Sequence, residues 1–223
     1  MIFTTFSIVA RCPRTGDFGV AVTTARPAVG SVVPWVSRRG AVATQARANT
    51  ALGRDALALL DAGVPLPVAL RALLDQDPDR AHRQVHGVDG EAACVHTGAL
   101  CVPWCGDLIE EHFTVAGNML AGPEVLTAMR AAFVDGDGLE LAARLVRALE
   151  AGQAAGGDKR GKQSAALIVA SQDPRPSHNL RVDDHPDPVA ELRRLHDLTV
   201  EFAKTVLEQY GPDGLRRYRR PKY

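Results

Sequence analysis

The chain has no excess of either charge, since 26 basic residues balance 26 acidic ones. That balance speaks against a dedicated nucleic-acid-binding or membrane-surface protein. Apolar runs are short, and none approaches the ~18 residues that a membrane-crossing helix needs. Met1 to Ala10 lacks the basic start and long apolar core of a secretory leader. Cysteine is scarce: Cys12, Cys94, Cys101 and Cys105 form no Cys-x-x-Cys framework, and a chain of 223 residues does not need disulfides to fold. A reduced, cytoplasmic protein is expected. His96, Cys101 and Cys105 match the spacing of no standard zinc site, so neither a metal nor a cofactor is expected. There is also no Gly-x-Gly-x-x-Gly turn after a strand, no Walker loop and no serine elbow, which removes weight from nucleotide-dependent and α/β-hydrolase chemistry. Internal repeats and low-complexity segments are missing too.

What is present suits an ordinary globular core. Apolar residues make up 46% of the chain, and its length fits one domain over 1–223. Phe3 to Ala10, a turn at Pro13 to Asp17 and Phe18 to Thr24 read as a hairpin. Side chains alternate along a strand, so Thr5 and Ser7 share one face while Phe6 and Ile8 share the other. Further strands are expected at Ser31 to Val36, Ala41 to Ala46, Gln84 to Val88, Ala92 to His96, Phe113 to Asn118 and Ser164 to Ala170. Apolar spacing, prolines and stop glycines predict helices over Thr50 to Ala62, Pro67 to Leu74, Pro123 to Phe133 and Leu139 to Ala151. A last helix is expected over about 188–210, capped by Asp187, with a basic tail over 211–223 that packs on a partner subunit. Hairpin-rich strands with helices arriving in pairs imply an α+β protein, with antiparallel sheets covered by helical layers.

The densest group of polar residues is Gly156-Gly157-Asp158-Lys159-Arg160-Gly161-Lys162-Gln163-Ser164, a glycine loop that feeds a strand. Loops mounted on a rigid scaffold commonly carry function. This one is expected to lie beside the start of the first strand, with Asp158 and Arg160 hydrogen-bonded to each other. Asp158→Ala is expected to disturb ligand binding more than folding. Asn49 either lines a pocket or caps the helix at Thr50. Asp183, Asp184, His185 and Asp187 are read as a structural turn with Arg181 pairing an aspartate, rather than as a cation site.

Several segments together resemble a known family. They are Thr5 to Arg11, Gly19 to Val22, Val42 to Ala46, His96-Thr97-Gly98, Ala116 to Leu120, Ala154 to Asp158 with its tail, and Leu180 to Val189. The chain resembles the bacterial and archaeal family DUF1028, from about Thr5 to Leu195. That resemblance implies membership of the N-terminal-nucleophile hydrolase superfamily and a four-layer αββα sandwich. Some members carry an added C-terminal domain linked to peptidoglycan binding, and none is expected here.

The superfamily chemistry requires a Thr, Ser or Cys at the start of the first strand, with its own α-amine (pKa near ~8) as general base. Nearby donors must stabilise the oxyanion. Mapped onto this chain, the catalytic candidates are Thr5, Asn118 and Asp158. The substrate-binding candidates are Ser7, Gln45, His96, Thr97, Arg160 and Gln163. Thr5, Ser7, His96, Asn118 and Asp158 are expected to converge on one cavity. In many relatives the threonine directly follows the initiator methionine, whereas here Met1-Ile2-Phe3-Thr4 precede it. An active form beginning at Thr5, or at Thr4, is therefore expected. The implied function is hydrolysis of a C–N bond in a small amide-like substrate, by a homodimer or higher homo-oligomer. The alternative is a catalytically silent αββα module that binds a small molecule or a protein partner.

Overall fold

The computed structural model describes residues 2–3, 5–171 and 178–218. Part of the expected basic tail and the Thr4 start lie outside the described residues. In chain order the strands are β1 (Ile2–Phe3), β2 (Thr5–Arg11), β3 (Phe18–Thr24), β4 (Pro34–Val36), β5 (Gly40–Arg47), β6 (Arg83–Asp89), β7 (Ala93–Thr97), β8 (Gly106–Ile109), β9 (Phe113–Gly117), β10 (Ser164–Ala170) and β11 (His178–Val182). The helices are α1 (Thr50–Asp61), α2 (Leu66–Asp75), α3 (Glu124–Asp135), α4 (Leu141–Ala154) and α5 (Pro188–Tyr218).

The strands form two antiparallel sheets. One has the order β1-β5-β6-β7, with β4 also pairing β5. The other has the order β11-β10-β3-β2-β9-β8. Three apolar clusters show how the layers stack. Val42 and Val85 of the first sheet meet Leu52, Ala56, Leu60, Leu66 and Leu70 of α1 and α2. Phe6, Ile8 and Leu167 of the second meet Leu126, Met129, Leu145 and Leu149 of α3 and α4. Between the sheets, Val9, Val20 and Val22 meet Ala41, Ala43 and Val88. This is the expected αββα sandwich. Both sheets are covered on both faces, which accounts for the near-continuous apolar runs in their strands.

The differences from expectation have physical causes. The segment read as a strand from Ser31 opens with a 3-10 turn, Val29–Ser31, and pairs only from Pro34. A proline supplies no N–H to a ladder, so it sits at the first residue of this edge strand. Strands β8 and β11 were not expected. Both are short edge strands, and exposed positions interrupt their apolar character. The last helix continues past Tyr210 with a kink at Gly211, whose φ is 63°.

Candidate active site

Strand β2 delivers Thr5, Ser7 and Val9 to the space between the sheets. Val9 joins the aliphatic cluster there, while Thr5 and Ser7 occupy the other end, fully buried. Facing them from the first sheet are Gln45 of β5, and Gln84 and His86 of β6. These are held in register by the pairs Gln45↔Gln84 and Ala43↔His86. Thr114 of β9 and Asn118, just past its end, come from the strand beside β2, where the Asn118 N–H donates to the Thr5 carbonyl at 2.9 Å. All five of these polar partners are buried.

Gln84 sets the direction of the network. Its Nε2 lies 3.1 Å from the Gly106 carbonyl and 3.0 Å from the Gly117 carbonyl. Carbonyl oxygens only accept, so the Gln84 NH2 faces them. Its Oε1 therefore faces the amides of Gln45, at 2.8 Å, and Asn118, at 2.9 Å, and both of those residues turn their NH2 groups toward it. Gln45 consequently presents Oε1 to the Ser7 hydroxyl, which donates its proton across 2.7 Å. The same hydroxyl lies 2.7 Å from His86 Nε2, and with its proton already committed it must accept there. Nε2 thus carries the imidazole hydrogen, and Nδ1 accepts from the Thr114 hydroxyl at 2.8 Å. Burial keeps the ring neutral, pushing the His86 pKa down to about 3.

A serine against a histidine has the outline of a nucleophile and its base. Here the polarity is reversed, because a nucleophile must donate its proton to the base. Ser7 and His86 are instead links in a one-way chain that runs from Thr114 toward Gln84. The chain continues through Gln84 Nε2 to the Thr97 hydroxyl at 3.0 Å, which donates to Asp107 at 2.6 Å.

Two polar atoms stand outside this order. Among the described residues, Thr5 Oγ1 and Asn118 Oδ1 are buried side-chain atoms with no hydrogen-bond partner. Leaving such an atom unpaired costs about 1–3 kcal/mol, and in a well-satisfied interior it calls for an explanation such as a ligand or a reaction. The backbone carries strain at the same place. Ala46 (φ 64°) and Met119 (φ 53°), which follow Gln45 and Asn118, hold left-handed conformations that non-glycine residues rarely adopt.

The glycine loop packs alongside. Gln163 N–H donates to the carbonyl of Thr24, the register partner of Thr5. Ala121 N–H donates to Gly157 O, and Lys159 N–H to Met119 O, which ties the loop to the turn after Asn118. Gly157 (φ 55°) fits because a Cβ there would lie 2.7 Å from the Gln153 amide nitrogen and 3.2 Å from the Phe6 ring. Asp158 is buried and paired with Arg160 at 2.6 Å. Lys159 donates to the Pro103 carbonyl at 2.9 Å, and Lys162 pairs with Asp187 at 3.0 Å. The loop's bases therefore tie chain segments together.

The structure brings Thr5, Ser7, Gln45, Thr97 and Asn118 into one network, with Asp158 and Arg160 on the loop beside it. It does not bring His96 there. That ring pairs in register with Val85, faces α2, lines a groove of about 470 Å³ and bonds the Arg80 carbonyl. The Gln163 side chain is turned to Asp184. Asn49 caps α1, accepting from Ala51 N–H. Arg181 pairs with Asp183 as expected. Gln84, His86 and Thr114 were not foreseen as members of the site. For Gln84 and His86 the signal was a polar pair two residues apart within a buried strand, the same spacing that marks Thr5 and Ser7, whereas Thr114 stands alone in β9 and gave none.

A family model described as a family of unknown function, DUF1028, matches residues 5–192. The chain belongs to DUF1028. A crystal structure of protein SPO2555 from Silicibacter pomeroyi, assigned to the same family, is similar, with 36% sequence identity and a TM-score of 0.80, over 87% of this chain and 85% of that one. No curated protein matches. The DUF1028 match begins at Thr5, the residue that opens β2 and carries one of the two unpartnered atoms.

Proposed function

We propose that this DUF1028 protein is an N-terminal-nucleophile amidohydrolase that cleaves a C–N bond in a small amide-like substrate. The observation that carries the reading is the pair of buried, unpartnered atoms, Thr5 Oγ1 and Asn118 Oδ1, beside a network in which every other hydroxyl has a partner. Removal of residues 1–4 gives Thr5 a free α-amine. That amine takes the hydroxyl proton as Oγ1 attacks the substrate carbonyl, then returns it to the leaving nitrogen as the C–N bond breaks. Water hydrolyses the resulting ester. Asp158 and Arg160 hold the loop that borders the nucleophile, and the protein works as a homo-oligomer.

A second reading has its own support. Ile2 and Phe3 pair with Arg47 and Ala46 of β5, which ties the preceding segment into the first sheet while β2 belongs to the second. A chain that keeps this segment has a peptide nitrogen at Thr5 and acts as a binding module. N-terminal sequencing of natively expressed protein, with a screen of small amides, ureides and acylated amino acids against wild type and Thr5→Ala, separates the two. Hydrolysis is expected from protein beginning at Thr5 and absent from Thr5→Ala. Activity in protein that still begins at Met1 overturns the α-amine mechanism.

A further inference from the structure

We propose that Asn118 selects the ligand by polarity: its carbonyl oxygen is a fixed acceptor, locked by Gln84, and the ligand must present an N–H to it. Among amide-like ligands the class is then one that keeps a free N–H, as in a primary or secondary amide, a ureide or an ammonium group, and not an ester or ether, whose oxygen has no hydrogen to donate. This rests on the site taking an amide-like ligand, and it adds which atom reads the nitrogen and what holds that atom.

An asparagine side chain is normally free to flip and present either donor or acceptor. Here it is not. The Gly106 and Gly117 carbonyls hold the Gln84 NH2, the Gln84 Oε1 holds the Asn118 NH2 at 2.9 Å, and Asn118 Oδ1 is left pointing away from the network without a partner. A flip of Asn118 would set its oxygen against Gln84 Oε1, two acceptors in a buried site. A flip of Gln84 would set its oxygen against two carbonyls and break the donor direction that runs through Gln45, Ser7 and His86. Neighbouring bonds aligned in one direction reinforce each other. A ligand with no donor hydrogen leaves Oδ1 buried and unpaired, an effect of about 1–3 kcal/mol, which corresponds to roughly five- to hundredfold in affinity. Gln84 is a positioning residue in this scheme, and Asn118 is the group that touches the ligand.

Two measurements test the proposal. In the full wild-type chain, nitrogen NMR of His86 should show Nε2 protonated and Nδ1 bare, and the reverse tautomer overturns the locked direction. In Thr5→Ala protein, which cannot turn substrate over, the Asn118 side-chain amide signal is followed during titration with propionamide, N,N-dimethylpropionamide or methyl propionate. Propionamide should bind roughly five- to hundredfold more tightly than the other two, and Gln84→Leu should erase the preference. Equal affinities, tighter binding of the ester, or no binding of propionamide at high millimolar concentration overturns the proposal. A protein that prefers propionamide but hydrolyses no amide keeps this inference and removes the hydrolase reading. Hydrolysis of amides and esters alike does the reverse.

Discussion

Ser7 has one proton and two neighbours, and the direction of that proton decides what the residue can do. Because Gln45 takes it, His86 serves Ser7 as a donor and stays neutral. Folding therefore disfavours the proton that His86 would bind in the unfolded chain at its ordinary pKa of about 6.5. The folded value lies below the unfolded one, so the unfolded state binds more protons between them. The resulting stability is fully present above about pH 6.5 and is lost progressively as pH falls toward 3. Near pH 5 the loss should approach 1.4 kcal/mol per pH unit for this one group. Urea unfolding at pH 7 and pH 5 should show a smaller drop in His86→Gln than in wild type, because the difference between them removes the shared titration of carboxylates. Equal slopes would mean that His86 is protonated in the folded protein or already neutral in the unfolded one. His178, pushed down to about 4 mainly by burial and then by His196, contributes in the same direction in both proteins.

At the scale of elements, strands that run through the interior were legible and strands at the rim were not. The boundaries of β3 and β10 match their apolar runs because both lie inside the second sheet, covered on both faces. Strands β8 and β11 end that sheet, where most side chains are only partly buried or exposed and the hydrophobic pattern fades. The site was legible where polar residues interrupt a buried strand at period two, as at Thr5 and Ser7. The same spacing at Gln84 and His86 was available, but a strand read only for its apolar residues hides it. His96 shows the converse: its neighbour Thr97 faces the other sheet, and a one-residue step along a strand exchanges faces. The glycine loop was legible as an element, and the burial of Asp158 within it was not. Asp158 was expected to tolerate substitution as an exposed loop residue, yet its side chain is only 1% exposed, against 24% for Arg160. Its carboxylate also accepts from the backbone N–H of Arg160 at 3.0 Å. Asp158→Ala should therefore lower stability by about 3 kcal/mol, as expected when one partner of a buried pair is removed. Thermal unfolding checks this, and a change within 0.5 kcal/mol, typical of an open surface, would show the loop to be loosely attached.

Over the whole molecule, apolar packing and polar function are kept apart. Three apolar clusters hold the four layers together, and one end of the inter-sheet space is left to the hydrogen-bonded network with its two unpartnered atoms. The outer surface is less complete than the interior. Helix α5 is anchored by Val189 and Leu192, which are buried against the second sheet and α4. Further along, Leu198, Leu207 and Tyr210 remain 48%, 45% and 62% exposed. Leu207 borders an apolar groove of about 430 Å³ that is also lined by Leu141, Val169, Val200 and Ala203. A helix whose apolar residues continue beyond the body it packs on suits a symmetric contact with a second copy, where each α5 covers the groove of the other. Sedimentation equilibrium at micromolar concentration should then give twice the 23.8 kDa chain mass. Leu207→Glu should shift the protein to monomer without unfolding it, since the side chain is half exposed and its substitution opens no cavity in the core. A wild-type protein that sediments as a monomer, or a Leu207→Glu variant that remains dimeric, would show that this face is not the contact. Thermal unfolding of the variant beside wild type separates loss of the dimer from loss of the fold.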